Sequence, residues 1–306
     1  MKVFKFGGAS VSTTERIRNV ASILKKYEGE QLLVIVSAMG KTTNALEKVV
    51  DAFYSGKKEE ALQHFEDIKE SHSAILNELI PDITNSSLIT HHSLSDFFTE
   101  VEWLLHDKPV RDFDYYYDQI VCIGEMLSSV IVSNYLNAAG VQNAWIDVRD
   151  VIRTDDNFRD ARIDWASTAQ KLQEQVVPGY SATNIILTQG FIGATDENES
   201  TTLGREGSDY SAAVFANLLN AKCQVIWKDV QGVMNADPKL YGEAQWIKEL
   251  NYREVIEMAY YGAQVIHPKT IKPLQNKGIP LYVKSFLNPD EEGTCIHSQN
   301  ISHLPP

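Results

Sequence analysis

The stretch LLVIVSAMGKTTN, residues 32–44, decides the fold class of this chain. Its first part, 32–37, is of strand length, largely apolar and rich in β-branched side chains. A polar loop that contains a glycine follows it directly. A short apolar run of this kind indicates a buried strand. In an α/β sheet, the loop after such a strand is where ligands collect.

Further runs resemble this one, and they are found at 2–6 (KVFKF), 144–148 (AWIDV), 184–189 (NIILTQ) and 223–227 (CQVIW). Between the runs lie helix-length segments, such as 14–27 and 209–220, whose apolar residues recur at helical spacing. Strands that alternate with helices predict right-handed crossovers and a mostly parallel sheet covered on both faces. Residues 45–108 break the alternation, and their polar, helix-like pattern predicts a helical excursion that serves as a lid or a dimer contact.

Length and composition exclude several classes of protein. A chain of 306 residues suffices for one large α/β domain or two lobes that share a sheet. No stretch approaches the roughly 20 consecutive apolar residues of a membrane helix. The start MKVFKFGGAS lacks the apolar core of a secretory signal, which predicts a cytoplasmic protein. A net charge of −13 argues against nucleic-acid binding, because that relies on a basic face.

The cysteines and histidines do not indicate a metal site. Cys122, Cys223 and Cys295 are far apart, odd in number and in no C-x-x-C arrangement, which favours reduced thiols over a disulfide framework or a zinc site. His91 and His92 are adjacent, but no partner at ligand spacing accompanies them. We therefore expect these histidines to be solvated surface residues.

The segment KFGGAS is the first candidate ligand loop. Lys5 lies in the first predicted strand, and Gly7 and Gly8 follow it before a helix. Paired glycines let backbone N–H groups approach phosphate oxygens, and the lysine adds a positive charge. A tight strand-to-helix turn explains the pattern equally well. The fingerprints of P-loop NTPases, dinucleotide dehydrogenases and protein kinases are absent from the sequence.

Two further candidate loops follow apolar runs. In VSAMGKTTN, Ser37 and Thr43 have hydroxyl groups that could bind a small polar ligand or cap the next helix. In IGEMLSS, residues 123–129, Glu125 lies in an apolar context. A buried carboxylate there would need a cationic partner such as a substrate ammonium. The alternative for Glu125 is a solvated start of a helix.

The segment TTLGREGSDYSAA, residues 201–213, combines a cation with helix-start residues. Arg205 can hold a carboxylate with two hydrogen bonds, and Asp209 beside Ser208 suits either helix capping or the fixing of a lysine near a phosphate. Glu206 is unexpected in a loop of this kind, because its carboxylate would repel an anion.

A later loop, WKDVQGVMNADPK at 227–239, adds charged side chains directly after another predicted strand. These are Lys228, Asp229 and Lys239, in a segment that also contains glycine and proline.

Taken in order, these motifs resemble those of the aspartate kinases of the amino-acid kinase superfamily. The matching segments run from residue 2 to about 295, and they are KFGGAS, VSAMGKTTN, IGEMLSS, TQGFIG, TTLGREGSDYSAA, WKDVQGVMNADPK, AYYGAQVIHPKTI and VKSFLNPDEEGT. One such motif alone has little specificity. Eight of them in family order are highly specific.

The resemblance implies a fold, a reaction and a domain plan. The fold would be a three-layer α/β/α sandwich with a mostly parallel central sheet and a helical insertion. The reaction would be ATP-dependent phosphorylation of the L-aspartate side chain to 4-phospho-L-aspartate, the entry step to lysine, threonine and methionine synthesis. A single catalytic domain over 1–306 would comprise an amino-acid-binding lobe at about 1–200 and an ATP-binding lobe at about 201–295. The family also favours a homodimer.

The resemblance also implies roles for individual residues. Lys5 would neutralise charge on the transferred phosphoryl group, and Asp209 would orient the lysines around it. Arg205 would bind the substrate α-carboxylate and Glu125 the α-ammonium. The remaining substrate contacts would come from Ser37, Thr43 and Ser208, and the ATP contacts from Lys5, Gly7, Gly8, Lys228, Asp229, Met234, Lys239 and Lys269. Mg²⁺ would be bound mainly through ATP rather than through dedicated protein ligands.

Two positions depart from the family pattern. Glu206 replaces the first of two paired glycines in the loop G-R-G-G-S-D, and we expect its side chain to point outward, because Arg205, Gly207, Ser208 and Asp209 are retained around it. Gln264 stands where a lysine is common near ATP. Nucleotide affinity would then be lower, unless Lys269 compensates for the missing charge.

Two alternatives to an active aspartate kinase stay open on the sequence. One is another amino-acid kinase, such as a glutamate, acetylglutamate or uridylate kinase, which the pair IGEMLSS and GREGSDYSAA disfavours. The other is a catalytically weak regulatory protein that binds aspartate or nucleotide, which Glu206 and Gln264 would indicate.

Many aspartate kinases continue into ACT modules that bind lysine or threonine, and no sequence for these modules follows Gly293. We therefore expect little feedback inhibition of this chain by lysine or threonine. The measurement is turnover at rising concentrations of each amino acid. Clear inhibition at physiological concentration would contradict the expectation.

Overall fold

The computed structural model describes residues 1–81, 93–236, 240–261 and 266–299. The strands in chain order are β1 (Lys2–Phe6), β2 (Leu32–Val36), β3 (Ala144–Trp145), β4 (Ile185–Gln189), β5 (Ile192–Ala194), β6 (Ser200–Thr202), β7 (Gln224–Lys228), β8 (Val233–Met234), β9 (Trp246–Ile247), β10 (Glu249–Asn251), β11 (Leu281–Ser285) and β12 (Thr294–His297). The helices are α1 (Thr14–Lys25), α2 (Thr42–Tyr54), α3 (Lys58–Leu79), α4 (Leu94–His106), α5 (Phe113–Val121), α6 (Ile123–Ala138), α7 (Trp165–Gln175), α8 (Gly207–Leu218), α9 (Tyr252–Tyr260) and α10 (Pro268–Lys277).

The core of the molecule is an eight-stranded sheet in the order β10-β12-β11-β7-β1-β2-β4-β3. Its neighbouring strands are parallel except for β11 and β12, which are antiparallel. Helices cover both sides, so the predicted three-layer α/β/α sandwich with a mostly parallel sheet is confirmed. Short antiparallel pairs, β5 with β6 and β8 with β9, were not predicted.

The central strands are buried on both faces because helices pack against each face. All five residues of β2 and all five of β4 are buried, which is the reason for the continuous apolar run of β2 and for the apolar start of β4 before Thr188 and Gln189. The prediction of a buried strand over 144–148 is wrong beyond Trp145. This strand lies at the edge of the sheet and is only half-buried, and the Asp147 side chain accepts a hydrogen bond from the Arg149 N–H, which stabilises a 3₁₀ turn instead.

The predicted excursion at 45–108 is helical where the structure describes it. It consists of α2, which begins three residues earlier than expected, together with α3 and α4. Helix α3 packs against α2, α4 and α6. His91 and His92 lie outside the described residues.

Helices α5 and α6 form a long apolar unit, and the sequence reasoning considered a helix there only as an alternative for Glu125. The segment Phe113–Ala138 is long and apolar enough to cross a membrane by length and composition, but 89% of its most apolar window is buried inside the protein. A core helix of a folded domain has the same composition, and α6 packs against β2, β3 and β4.

The parallel arrangement brings the candidate loops to one edge of the sheet. Because β1 lies between β2 and β7, the loops after these strands are neighbours. The Ser37 N–H donates to the Phe6 carbonyl at 3.1 Å, and the Gly40 N–H donates to the Gly8 carbonyl at 3.1 Å. A Cβ atom on Gly8 would lie 2.5 Å from the Ala38 carbonyl oxygen, so only glycine permits this contact between loops.

Gly190, directly after β4, provides a test of this close packing. A Cβ atom there would lie 2.7 Å from the Ser208 Cβ and 2.8 Å from the Ile35 Cγ2. We expect Gly190→Ala to lower the free energy of unfolding by about 1–3 kcal/mol, because the core would have to shift to admit the methyl group. Urea unfolding measures this loss.

The control is Gly242→Ala, since nothing lies within 4 Å of the added Cβ at that position. It should change stability far less than Gly190→Ala does. Equal stability of the two variants would contradict the packing described for β4 and α8.

Candidate functional site

The centre of the site is an ion pair between β1 and α8. The Lys5 Nζ lies 2.7 Å from the Asp209 Oδ1, and the two side chains are 11% and 1% exposed. Burial raises the pKa of Asp209, but the charges of Lys5 and Lys228 outweigh burial, so that this pKa lies below its usual value. Asp209 is therefore an ionised carboxylate that holds Lys5. The alternative that Asp209 caps the helix is wrong, because Glu206 occupies the N-cap.

The pair lies on the wall of a cleft of about 360 Å³. The lining residues come from several separate segments of the chain, and they are Lys5, Thr43, Tyr117, Glu125, Arg159, Phe191, Thr202, Gly204, Arg205, Glu206, Gly207, Ser208 and Asp209. The fold therefore brings together six residues that were predicted from the sequence as catalytic or substrate-binding, namely Lys5, Thr43, Glu125, Arg205, Ser208 and Asp209.

Glu125 is a buried carboxyl group in the first turn of α6, so the solvated helix start is wrong. It is 4% exposed, and it accepts a hydrogen bond from the Ala38 backbone N–H. Its Oε2 atom has no hydrogen-bond partner in the described part of the chain. Burial raises the pKa of Glu125 to about 8, against the backbone hydrogen bonds and the charge of Lys5. A cationic ligand group at Oε2 would reverse this shift.

The glycine before Glu125 lets α6 approach the loop after β2. A Cβ atom on Gly124 would lie 3.1 Å from the Leu46 Cδ1 and 3.2 Å from the Ala38 Cβ. On the same loop, the Ser37 Oγ is buried and lacks a hydrogen-bond partner among the described residues, while the Ser37 carbonyl accepts from the Ser128 hydroxyl at 2.8 Å. The unpaired Ser37 hydroxyl is available to a ligand, although Ser37 is not among the residues that line the cleft.

Glu206 does not have the orientation that we expected. It takes a left-handed backbone conformation, with φ of 57° and ψ of 25°, at the N-cap of α8. Its side chain is solvent-exposed, yet the residue lines the cleft and its carboxyl group interacts with that of Asp209. The outward orientation is therefore wrong. A residue type alone does not reveal that its backbone has a positive φ, and this conformation sets where the side chain points.

Several residues that line the cleft were not predicted from the sequence. Two of them, Arg159 and Thr202, are held by hydrogen bonds to the side chain of Asp118. This buried carboxylate accepts hydrogen bonds from the Arg159 N–H at 2.9 Å, from the Thr202 N–H at 2.8 Å and from the Thr202 hydroxyl at 2.7 Å. Burial raises the pKa of Asp118 to about 6, against these hydrogen bonds. The Arg159 guanidinium lies 4.4 Å from the centre of the Tyr117 ring. The only sequence signal for this group was an aspartate among the aromatic and apolar residues of helix α5, which also contains Asp114 and Gln119.

The glycine loop and Lys228, which were predicted to bind the nucleotide, lie close to the Lys5–Asp209 pair. A Cβ atom on Gly7 would lie 3.4 Å from the Lys5 Nζ, so the loop after β1 passes close to the amino group. Lys228 ends β7, and its charge acts on Asp209. Asp229 is exposed, and Met234 is half-buried in β8.

Lys269 was predicted to compensate for the lysine that Gln264 replaces near ATP, but its amino group already makes contacts within the protein. The Lys269 Nζ donates to the Asp160 Oδ1 at 2.9 Å and to the Leu203 carbonyl at 2.9 Å. Its charge is therefore already paired on the loops that border the cleft. Lys239 and Gln264 lie outside the described residues.

Comparison with known proteins agrees with this geometry. The model of the amino acid kinase family matches residues 1–285. The chain belongs to the amino acid kinase family. A crystal structure of *E. coli* aspartokinase III in complex with aspartate and ADP superposes on it with a TM-score of 0.87 at 32% identity, covering 99% of this chain and 65% of the other.

Curated relatives extend beyond the matched region. The lysine-sensitive aspartokinase 3 of *Escherichia coli* is 33% identical over 295 residues, which are 96% of this chain and 63% of that protein. The chloroplastic bifunctional aspartokinase/homoserine dehydrogenase 1 of *Arabidopsis thaliana* is 33% identical over 302 residues, which are 97% of this chain and 32% of that protein. The chain therefore spans between about a third and two thirds of the length of these relatives.

The pKa of Glu125 gives a prediction about stability and pH. Because the folded state holds the proton up to about pH 8, against an ordinary value of 4.5, the resulting stabilisation is complete below pH 4.5 and is lost as the pH rises toward 8. We expect the free energy of unfolding to fall less over this range in Glu125→Gln than in the parent, by up to about 1.4 kcal/mol per pH unit.

Urea unfolding at a series of pH values makes the comparison, with Glu59→Gln, an exposed carboxylate at the start of α3, as the control. The control should keep the slope of the parent. The same slope in Glu125→Gln would show that Glu125 is not protonated in the folded protein.

Proposed function

We propose that this chain is the catalytic domain of an aspartate kinase, which transfers the γ-phosphoryl group of ATP to the side-chain carboxylate of L-aspartate. The observation that carries the proposal is the cleft in which Lys5, paired with Asp209, lies together with the buried carboxyl of Glu125 and the guanidinium of Arg205. The similarity to aspartokinases over 96% or more of the chain supports the same reaction.

The charged groups of the proposed substrate are complementary to the charged side chains of the cleft. L-Aspartate has one ammonium and two carboxylates. The ammonium would bind at the Glu125 Oε2, which has no partner within the described chain, and would stabilise its ionised form. The α-carboxylate would bind Arg205 with two hydrogen bonds. Ser37, Thr43 and Ser208 would contribute hydroxyl groups, which leaves the side-chain carboxylate directed toward Lys5.

The reaction needs positioning and charge neutralisation rather than a base. The side-chain carboxylate of free aspartate has a pKa of about 3.9 and is already ionised at neutral pH. The barrier then lies in aligning two anions and in cancelling their repulsion. Lys5 would neutralise the transferred phosphoryl group, and Asp209 would hold the lysine in place without taking part in a proton transfer.

ATP would bind along the edge formed by the loops after β1 and β7. Backbone N–H groups at Gly7 and Gly8 would contact phosphate oxygens, and further contacts would come from Lys228, Asp229, Met234, Lys239 and Lys269. Mg²⁺ neutralises phosphate charge and usually keeps water ligands. Mg²⁺ would therefore be held mainly by the phosphates and by water.

The proposed lobes share one continuous sheet. Strand β1 pairs with β2, in the amino-acid-binding lobe at about 1–200, and with β7, in the ATP-binding lobe at about 201–295. Both substrates would therefore meet at the carboxyl end of β1, where Lys5 lies. A homodimer and a cytoplasmic location stay predictions.

The activity test is trapping of the acyl phosphate with hydroxylamine in the presence of ATP, Mg²⁺ and L-aspartate. We expect the parent to form aspartate hydroxamate, and Lys5→Met to lower kcat by at least roughly a hundredfold, because an unscreened phosphoryl charge raises the barrier. Lys2→Met is the matched control, since Lys2 lies at the other end of β1 and pairs with Glu30.

Loss of the buried pair could also destabilise the fold by about 3–5 kcal/mol. The double variant Lys5→Met/Asp209→Asn removes both charges and separates stability from catalysis, and thermal unfolding confirms that it is folded. A Lys5→Met variant with the kcat of the parent would refute the role of Lys5.

A second candidate is a protein that binds aspartate and ATP without turnover, and the carboxylate of Glu206 inside the cleft favours it. Binding of both ligands by calorimetry without formation of hydroxamate would support this candidate.

Turnover of ATP with glutamate, N-acetylglutamate or UMP in place of L-aspartate tests whether the chain is another amino-acid kinase. Preferred turnover of any of these would replace aspartate as the substrate.

A further inference from the structure

Glu206 occupies the place where an anionic ligand would bind most favourably. It is the N-cap of α8, a twelve-residue helix whose positive dipole end faces the cleft. Its carboxylate lines the cleft next to Arg205 and interacts with Asp209. A carboxylate of the protein therefore stands where a carboxylate or phosphate of a ligand would otherwise be attracted.

The backbone at Glu206 has a left-handed conformation that carries an energetic cost. Its φ of 57° lies in the left-handed region, which costs a residue with a side chain roughly 1 kcal/mol relative to glycine. The Glu206 carbonyl accepts a hydrogen bond from the Tyr210 N–H at 3.1 Å, and the neighbouring Gly207 N–H donates to Gly204 at 3.0 Å. The backbone on both sides is thus anchored by hydrogen bonds, which fixes the position of the Glu206 Cα at the cleft.

Glu206 lowers the net positive charge of the cleft, because Glu125, with a pKa of about 8, is largely uncharged at neutral pH. The cations are Lys5, Arg159 and Arg205, and the carboxyl groups are Glu125, Glu206 and Asp209. Without Glu206, the cleft would have one additional net positive charge at the end of a helix. Such a cleft would attract any dicarboxylate, whether or not it has an ammonium group.

We propose that Glu206 determines the charge selectivity of the cleft, by repelling dicarboxylates that lack an ammonium group more strongly than it repels L-aspartate. This inference rests on the proposed function. Succinate is L-aspartate without its ammonium, so it has a net charge of −2 where L-aspartate has −1. Repulsion from one fixed carboxylate is therefore about twice as large in free energy for succinate.

The experiment compares the inhibition constant of succinate with the KM of L-aspartate in the parent and in Glu206→Gln, which removes the charge and keeps the shape. We expect the KM to fall roughly threefold and the inhibition constant to fall roughly tenfold, because the two free-energy changes differ by about a factor of two. Calorimetric titration of both ligands gives the same comparison without turnover.

Two controls separate charge from backbone effects. Glu257→Gln neutralises an exposed carboxylate on α9, outside the cleft, and should alter neither constant. Glu206→Gly also removes the charge, and it is matched by Asn220→Gly, which changes another left-handed residue, with φ of 50°, after the end of α8. Only the Glu206 variants should change the ratio of the two constants.

The outcomes distinguish the inference from the activity on which it rests. If the parent forms aspartate hydroxamate and Glu206→Gln leaves the ratio of the two constants unchanged, the inference is wrong and the aspartate kinase activity stands. If neither the parent nor Glu206→Gln binds L-aspartate or forms hydroxamate, the proposed function fails and the inference fails with it.

Discussion

The ion pair between Lys5 and Asp209 constrains the rest of the structure. A buried ion pair recovers the free energy lost on desolvation only when its geometry is good, so both partners must be held rigidly. Lys5 comes from β1, between two parallel strands at the centre of the sheet. Asp209 comes from the first turn of α8, and Gly190 lets that turn approach β4, since its Cβ would lie 2.7 Å from Ser208. The close packing of the loops around the cleft therefore holds the side chains of Lys5 and Asp209 in contact.

Two buried carboxyl groups near the cleft show how a structural role differs from a binding role. Asp118 accepts three hydrogen bonds within the protein and fixes the loop at Arg159 and strand β6. Glu125 is equally buried, but one of its oxygens has no partner among the described residues, and its pKa is raised further. An unsatisfied buried carboxyl is costly, and a cationic ligand would recover that cost. This contrast is the physical reason to assign substrate binding to Glu125.

The sequence predicted the parts of the molecule that depend on local pattern. The buried strands and the order of the loops followed from apolar runs and from the polar residues placed after them, and the roles of Lys5, Glu125 and Asp209 followed from the resemblance to the aspartate kinases. The positions of Arg159 and Glu206 in the cleft could not be predicted in this way, because both residues have a positive φ that cannot be inferred from the residue type. Tyr117 and Thr202 were also missed, since their place in the cleft arises from tertiary contacts between elements distant in the chain.

The central claim is that L-aspartate binds beside Lys5 with its side-chain carboxylate directed at the amino group. A crystal structure of the chain with L-aspartate and a non-hydrolysable ATP analogue tests this claim most directly. The account predicts the α-carboxylate on Arg205, the ammonium at Glu125 and the side-chain carboxylate facing Lys5 and the γ-phosphate. L-Aspartate bound outside the cleft, or bound with its α-carboxylate facing Lys5, would contradict it.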